Sequence, residues 1–261
     1  MSEESPAIDL RDLRVGYGTT EVLHGLSTQF RSGAWEVLLG PNGSGKTTLL
    51  KTLMGQIKPF GGQALILDRD CHGCSLELKR DVGYLPEDMY LYHELSPRQH
   101  LRFAGDMHEI PVTDLRQRAE YLLDLFELEE YADRPVKECS LGTKRKTGLC
   151  MALIHRPRVL LLDEPMNGLD PQAAETVRKM LSLLCSEENL SLLMSTHNLG
   201  MLHHYCNSLI IFYRGTILLK SPPDLLAEQH PGLSLEEIFL KAIREAAEQN
   251  VSADTEGASE A

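Results

Sequence analysis

The stretch Gly40-Pro41-Asn42-Gly43-Ser44-Gly45-Lys46-Thr47, followed by Thr48, is the part of this sequence whose chemistry is most readily read. Its pattern, G-x-x-x-x-G-K-[ST], is one that wraps a phosphate chain. Glycine tolerates positive φ, so successive backbone N–H groups can converge on a β-phosphate at the start of a helix. Lys46 adds a point charge toward the β- and γ-phosphates, and the Thr47 hydroxyl offers a position for Mg²⁺. A second constellation closes the apolar run Val159-Leu160-Leu161-Leu162 with two acids, Asp163 and Glu164. Ligands of open α/β sheets gather beyond the C-terminal ends of strands, which is where these carboxylates would stand. Asp163 can hold Mg²⁺ through water, and Glu164 can polarise a water in line with the γ-phosphate. A small-molecule kinase needs no second acid at this point, so the pair favours hydrolysis.

Both constellations require strands that end at the site and helices that follow. Trp35 to Leu39 reads as a short apolar strand before Gly40, and Thr47 to Met54 has helical spacing, stopped by Lys58-Pro59-Phe60-Gly61-Gly62. Upstream, Ile8 to Val15 and Val22 to Phe30 read as strands joined by a glycine-containing loop, with further strands at Gln63 to Leu67 and Val82 to Leu85. From about 89 to 140 the apolar residues change to helical spacing. Ser96-Pro97-Arg98-Gln99 carries a reciprocal cap, and Leu115, Ala119, Leu122 and Phe126 line one face of a helix beginning after Asp114. Strand and helix then alternate: helix over Gly142 to His155, strand over Val159 to Leu162, helix over Pro171 to Cys185, strands over Leu190 to Ser195 and Leu209 to Tyr213. Continuous apolar strands between helices predict a parallel sheet covered on both faces. A helix is expected over Leu235 to Ala247, and the acidic stretch 250–261 is expected to lack structure.

Composition limits the partners. Among 261 residues, 26 are Lys or Arg and 38 are Asp or Glu, giving a net charge of −12. That balance disfavours nonspecific attraction to nucleic acid or anionic lipid, so a phosphate ligand must be held locally. The longest unbroken apolar run, Leu149 to Ile154, is far short of the roughly 20 residues that cross a bilayer. The first residues, Met-Ser-Glu-Glu-Ser-Pro, do not resemble a secretory leader, so a cytoplasmic location with reduced cysteines is expected. Cys71-His72-Gly73-Cys74 has suggestive spacing but too few ligands for a zinc site.

In this order the motifs resemble the ATP-binding cassette (ABC) ATPases, the nucleotide-binding subunits of ABC transporters, over about Ile8 to Ala247. Tyr17 stands where that family has its adenine-stacking aromatic, and Glu87 where it has its glutamine loop. Cys139-Ser140-Leu141-Gly142-Thr143-Lys144 matches the signature motif, Asn167-Gly168-Leu169-Asp170 the dimer-contact loop, and Ser195-Thr196-His197 the switch histidine. The resemblance implies a P-loop NTPase parallel-sheet core with an N-terminal antiparallel β subdomain and an α-helical insert, forming one ATPase domain over 1–249. It implies ATP and Mg²⁺ as cofactors, the metal position including Thr47, Asp163 and Glu87. Glu164, His197 and Glu87 would be catalytic; Tyr17, the Gly40–Thr48 loop, Ser140 and Gly142 would bind nucleotide. Ser140 and Gly142 would open a helix facing the γ-phosphate of a second protomer, making a dimer the working unit.

Two departures stand out. Leu141 and Thr143 replace the commoner Gly and Gln of the signature, and Glu87 replaces Gln, adding charge near the metal and the water. With Leu85-Pro86-Glu87 and Leu235-Glu236-Glu237-Ile238-Phe239-Leu240, these departures look like the exporter branch that works with a separate transmembrane permease. Tyr90 and Tyr92 fall where the family meets that permease. The implied location is peripheral, on the cytoplasmic face of the membrane. The alternative is a soluble ABC ATPase acting on an assembly scaffold; a P-loop kinase does not account for Ser140, Gly142 and His197 together.

Overall fold

The computed structural model describes residues 5–73, 76–198, 200 and 204–257. Near the N-terminus, β1 (Ile8–Tyr17) and β2 (Thr20–Phe30) form an antiparallel hairpin, followed by β3 (Trp35–Leu39) and α1 (Lys46–Leu53). The chain continues through β4 (Gly61–Ile66), β5 (Arg69–Asp70), α2 (Leu76–Asp81) and β6 (Val82–Leu85). Helices α3 (Pro97–Met107), α4 (Val112–Leu125) and α5 (Leu141–Leu153) come next, then β7 (Val159–Asp163), α6 (Pro171–Glu187) and β8 (Ser191–Thr196). Strands β9 (Ser208–Tyr213) and β10 (Thr216–Ser221) and helices α7 (Pro223–Gln229) and α8 (Leu235–Gly257) complete the order.

Two sheets result. The antiparallel one has the order β2-β1-β4-β5, and the larger one β10-β9-β3-β8-β7-β6, parallel except where β10 turns back on β9. Strands β3, β7 and β8 are buried at every position, as a sheet covered on both faces requires. Side-chain alternation divides them between two cores. Val37, Leu160, Leu162 and Met194 pack with Leu149, Leu153, Val177 and Leu181 from α5 and α6. Leu38, Leu161 and Leu193 pack on the opposite face with Leu49, Leu50 and Leu53 from α1 and with the antiparallel sheet.

The segment between β6 and α5 contains no strand. Ser96 caps α3 with both reciprocal bonds, Ser96 Oγ accepting from Gln99 N at 3.3 Å and Gln99 Oε1 accepting from Ser96 N at 2.8 Å. Leu101, Leu115, Ala119, Leu122 and Phe126 pack into the core beside α5. Helix α4 starts at Val112, with Asp114 inside its first turn, rather than after Asp114. A carboxylate is favourable anywhere in the first turn, so Asp114 does not mark the boundary itself. The C-terminal stretch also departs from expectation: α8 continues past Ala247 and through 250–257, a stretch expected to lack structure. Ser234 and Glu237 exchange cap bonds of 2.7 and 3.2 Å at its start, and no Gly or Pro intervenes between Gly232 and Gly257. Cys74 lies outside the described residues; Cys139, Cys150, Cys185 and Cys206 are free thiols.

One ion pair ties α4 to the C-terminal end of α6. Arg118, 3% exposed, donates to both carboxylate oxygens of Glu188 at 2.6 and 2.9 Å and to Leu153 O at 3.4 Å. Removing only the carboxylate leaves a buried cation. Because the Glu188 side chain is 28% exposed, Glu188→Ala is expected to cost about 2–4 kcal/mol, short of the about 3–5 for a fully buried pair. Arg118→Met, which keeps the apolar stem and removes the charge, should cost less. Urea midpoints of the two variants check this ordering, and a larger loss for Arg118→Met would reverse the account.

Candidate active site

Four strands of the large sheet end together. Gly40 follows β3, Glu87 follows β6, Asp163 and Glu164 end β7, and Thr196 and His197 end β8. Backbone bonds lock the ends: Gly40 N donates to Thr196 O at 3.1 Å, and Glu164 N to Ser195 O at 3.2 Å. This is the C-terminal edge at which an open α/β sheet receives ligands.

Gly45 caps α1 at φ 105°, a conformation closed to side chains, and lets the loop turn directly into the helix that begins at Lys46. Lys46 is 5% exposed, and its Nζ donates to Gly40 O at 2.8 Å and Pro41 O at 3.2 Å. Burial pulls this ammonium below the usual lysine range, while the charges of Glu164, Asp163 and Glu87 oppose that fall. Glu164 Oε1 lies 3.6 Å from Lys46 Nζ, and Glu164 Oε2 lies 3.0 Å from His197 Nδ1. Glu164 itself is held at φ 48°, a costly conformation for a side-chain residue that recurs where function dictates geometry. A cavity of about 250 Å³ is lined by Asn42, Gly43, Ser44, Gly45, Lys46, Thr47 and Thr48 together with Glu87 and Glu164. A neighbouring cavity of about 280 Å³ joins Glu164 to His197 and Asn167.

Asp163 is 1% exposed. Its Oδ1 accepts from Ser195 Oγ at 2.6 Å, and its Oδ2 is buried with no hydrogen-bond partner among the described residues. A buried carboxylate oxygen without a donor suits a hydrated hard cation, and Thr47, on the wall of the Lys46 cavity, offers a neutral hydroxyl oxygen as a second hard ligand. The Ser195 hydroxyl also accepts from Glu164 N at 3.0 Å, so one side chain fixes both acids. Ser195 is a supporting residue that the motif reading quotes without giving it a role of its own. The signal for it is the parallel register that sets Asp163 against Ser195. Asn167 is another: its Nδ2 donates to Glu87 Oε1 at 3.4 Å, joining the loop after β7 to the loop after β6.

Ser140, Gly142 and Tyr17 do not line the Lys46 cavity. Ser140 caps α5, its Oγ accepting from Thr143 N at 3.1 Å, and it is exposed at that helix's N-terminus. Tyr17 ends β1 with about half its surface exposed, while Val22, across the hairpin, reaches the cavity wall.

Comparison with known proteins agrees with this architecture. The family described as ABC transporter matches residues 23–167. The Nod factor export ATP-binding protein I of Rhizobium sp. (strain N33) is 32% identical over 89% of this chain and 76% of its own length. ABC transporter G family member 20 of Dictyostelium discoideum is 32% identical over 90% of this chain, which spans only about a third of that relative's length. Among solved structures, the ATP-binding subunit of an ABC transporter superposes with a TM-score of 0.81 at 28% identity, covering 91% of this chain and 99% of that one. CbiO1 of Clostridium perfringens, part of the cbiONQ transporter complex, gives 0.79 at 26% identity over 90% of this chain and 98% of its own. Lys46, Glu164 and His197 thus meet at one sheet edge in a chain that belongs to the ABC transporter family and carries its ATP-binding, ATP-hydrolysing fold.

Proposed function

We propose that this chain is the ATPase subunit of an exporter: it binds ATP with Mg²⁺, pairs with a second protomer, and drives a separate transmembrane permease from the cytoplasmic face. The observation that carries the reading is the Glu164 carboxylate held between Lys46 and His197 at the mouth of the phosphate loop. Glu164 takes the proton of the attacking water, and His197 orients that water and bonds the γ-phosphate. Lys46 and the loop N–H groups hold the phosphates in place. Thr47 and Asp163, with Glu87 at the rim, would hold Mg²⁺, which when bound neutralises charge on the β- and γ-phosphates. Tyr17 would stack on the adenine.

The exposed N-terminus of α5, with Ser140 and Gly142, suits the γ-phosphate held by a partner protomer, so that ATP closes two chains over two sites. The relatives named for Nod factor export, and CbiO1 within its complex, support a permease partner. No helix among the described residues is long and apolar enough to cross a membrane. The permease contact is assigned to Tyr90, 92% exposed, and to Tyr92, which meets Phe103 edge to face at 5.4 Å. Buried His100 holds that loop, its Nε2 accepting from Tyr92 N at 3.0 Å.

Purifying the tagged full chain in mild detergent tests the reading. A polytopic membrane protein should accompany it, and replacing Tyr90 and Tyr92 together by Ser should reduce its recovery at least about tenfold. A soluble scaffold in its place, or recovery indifferent to the tyrosines, would overturn the assignment.

A further inference from the structure

The loop that carries Glu87 is fastened to helix α5. Arg145, 6% exposed, donates from Nη1 to Glu87 O at 2.7 Å and to Pro86 O at 3.3 Å. One turn further along α5, Gly148 leaves room for the loop's Met89, whose Sδ would lie 2.0 Å from a Cβ placed there. The other face of the same loop is tied by Asn167 to the segment following Glu164. Glu87 therefore stands between α5 and the hydrolytic strand end.

Two backbone carbonyls could be satisfied by a neutral donor, yet the residue is an arginine whose Nε is buried without a partner. What the guanidinium adds is charge. Arg145 shares the wall of a cavity of about 330 Å³ with Glu87 and Asp88; burial pulls the guanidinium below its usual range, and the charges of Glu87, Asp88, Asp163 and Glu164 oppose that fall. Arg145 also lies five residues after Ser140, a distance of about 7 Å along one rigid helix whose N-terminus is exposed.

We propose that Arg145 is a positioning residue for hydrolysis: it holds the Glu87 backbone to α5 and sets a positive charge among the reaction-centre acids. Displacement of the Ser140 end of α5 is thereby passed to the Glu87 carboxylate in the same chain. The inference rests on the reading of Glu87 as part of the reaction centre. An ordinary buttress would fix the loop equally well but would not act through that carboxylate.

The test is a double-mutant cycle on the full chain, with steady-state ATPase kinetics and thermal midpoints for Arg145→Met, Arg145→Lys, Glu87→Gln and each Arg145 variant combined with Glu87→Gln. Arg145→Met is expected to lower kcat about tenfold with KM for ATP changed less than about twofold. Arg145→Lys, which restores charge and one donor, should recover to within about threefold of the parent. In the Glu87→Gln background, Arg145→Met should cost less than about threefold. Unchanged kcat in Arg145→Met, or an equal cost in both backgrounds, overturns the proposal. Should Arg145→Met fail to fold, Arg145→Gln, which keeps a donor and removes the charge, carries the cycle: no loss, or an equal loss with and without Glu87→Gln, overturns the proposal, and a loss only with Glu87 intact supports it. If Glu87→Ala leaves kcat intact, the reading of Glu87 as part of the reaction centre falls and takes this inference with it; if only Glu87→Gln does, the carboxylate charge is dispensable and the inference alone falls. If Glu87→Gln is slow while the Arg145 variants are not, only the inference falls.

Discussion

Glu164→Gln is expected to reduce ATP turnover by about 10²–10⁴-fold while leaving nucleotide affinity intact. The carboxylate is 6% exposed, and its two oxygens face different partners, Lys46 at 3.6 Å and His197 at 3.0 Å. Glutamine keeps the size of the side chain and an acceptor, and leaves untouched the bonds from Glu164 N to Ser195 that fix the turn. What it loses is the ability to take a proton. It also removes a negative charge from the mouth of the phosphate loop, where that charge repels the γ-phosphate, so affinity should hold or rise. A site that binds and does not hydrolyse should accumulate the closed pair, visible as a dimer in size-exclusion chromatography with ATP and a monomer without it. A monomeric variant with normal turnover would remove Glu164 from the mechanism.

What could be read from the sequence depended on whether a feature is local along the chain. The phosphate loop is contiguous, and its flanking strand and helix are marked by apolar runs, so Gly40 to Thr48 is legible directly. The acids ending β7 and the histidine ending β8 each lie at the end of an apolar strand, and their meeting follows once those strands are neighbours. The supporting contacts are different in kind. Ser195 against Asp163 depends on the parallel register of β7 and β8, which brings together residues 32 positions apart with helix α6 between them. Arg145 against Glu87 spans 58 positions and joins helix α5 to a loop, with no periodicity to announce it. The short elements β5 and α2 also escape a reading based on periodicity, since two and six residues are too few to display one. Helix α8 extends past Ala247 and through 250–257 because an acidic stretch lowers the expectation of packing but does not break a helix as Gly or Pro would.

Lys46→Ala is expected to abolish useful ATP binding while sparing the fold, and the two effects separate cleanly. A charge-assisted hydrogen bond contributes about 1.5–3 kcal/mol, so losing the ammonium should weaken ATP about 10–150-fold. The folded chain gains little from that ammonium on its own account. It is 5% exposed, bonded to two carbonyls of its own loop, and its charged form is disfavoured by burial. Its removal does leave Glu164 Oε1 without its cation, but Glu164 keeps His197 at 3.0 Å on the other oxygen. The thermal midpoint without nucleotide should therefore stay near that of the parent. With ATP the two proteins should part. At a ligand concentration of 100 times the parent Kd, binding stabilises the parent by about 2.7 kcal/mol, whereas a variant weakened 100-fold gains only about 0.4 kcal/mol. The ATP-induced shift in midpoint should all but vanish. A shift equal to the parent's would mean that Lys46 does not touch the phosphates and that the loop has been misread. A collapse of the midpoint without ATP would mean instead that the Lys46 ammonium holds the ends of β3 and β7 together.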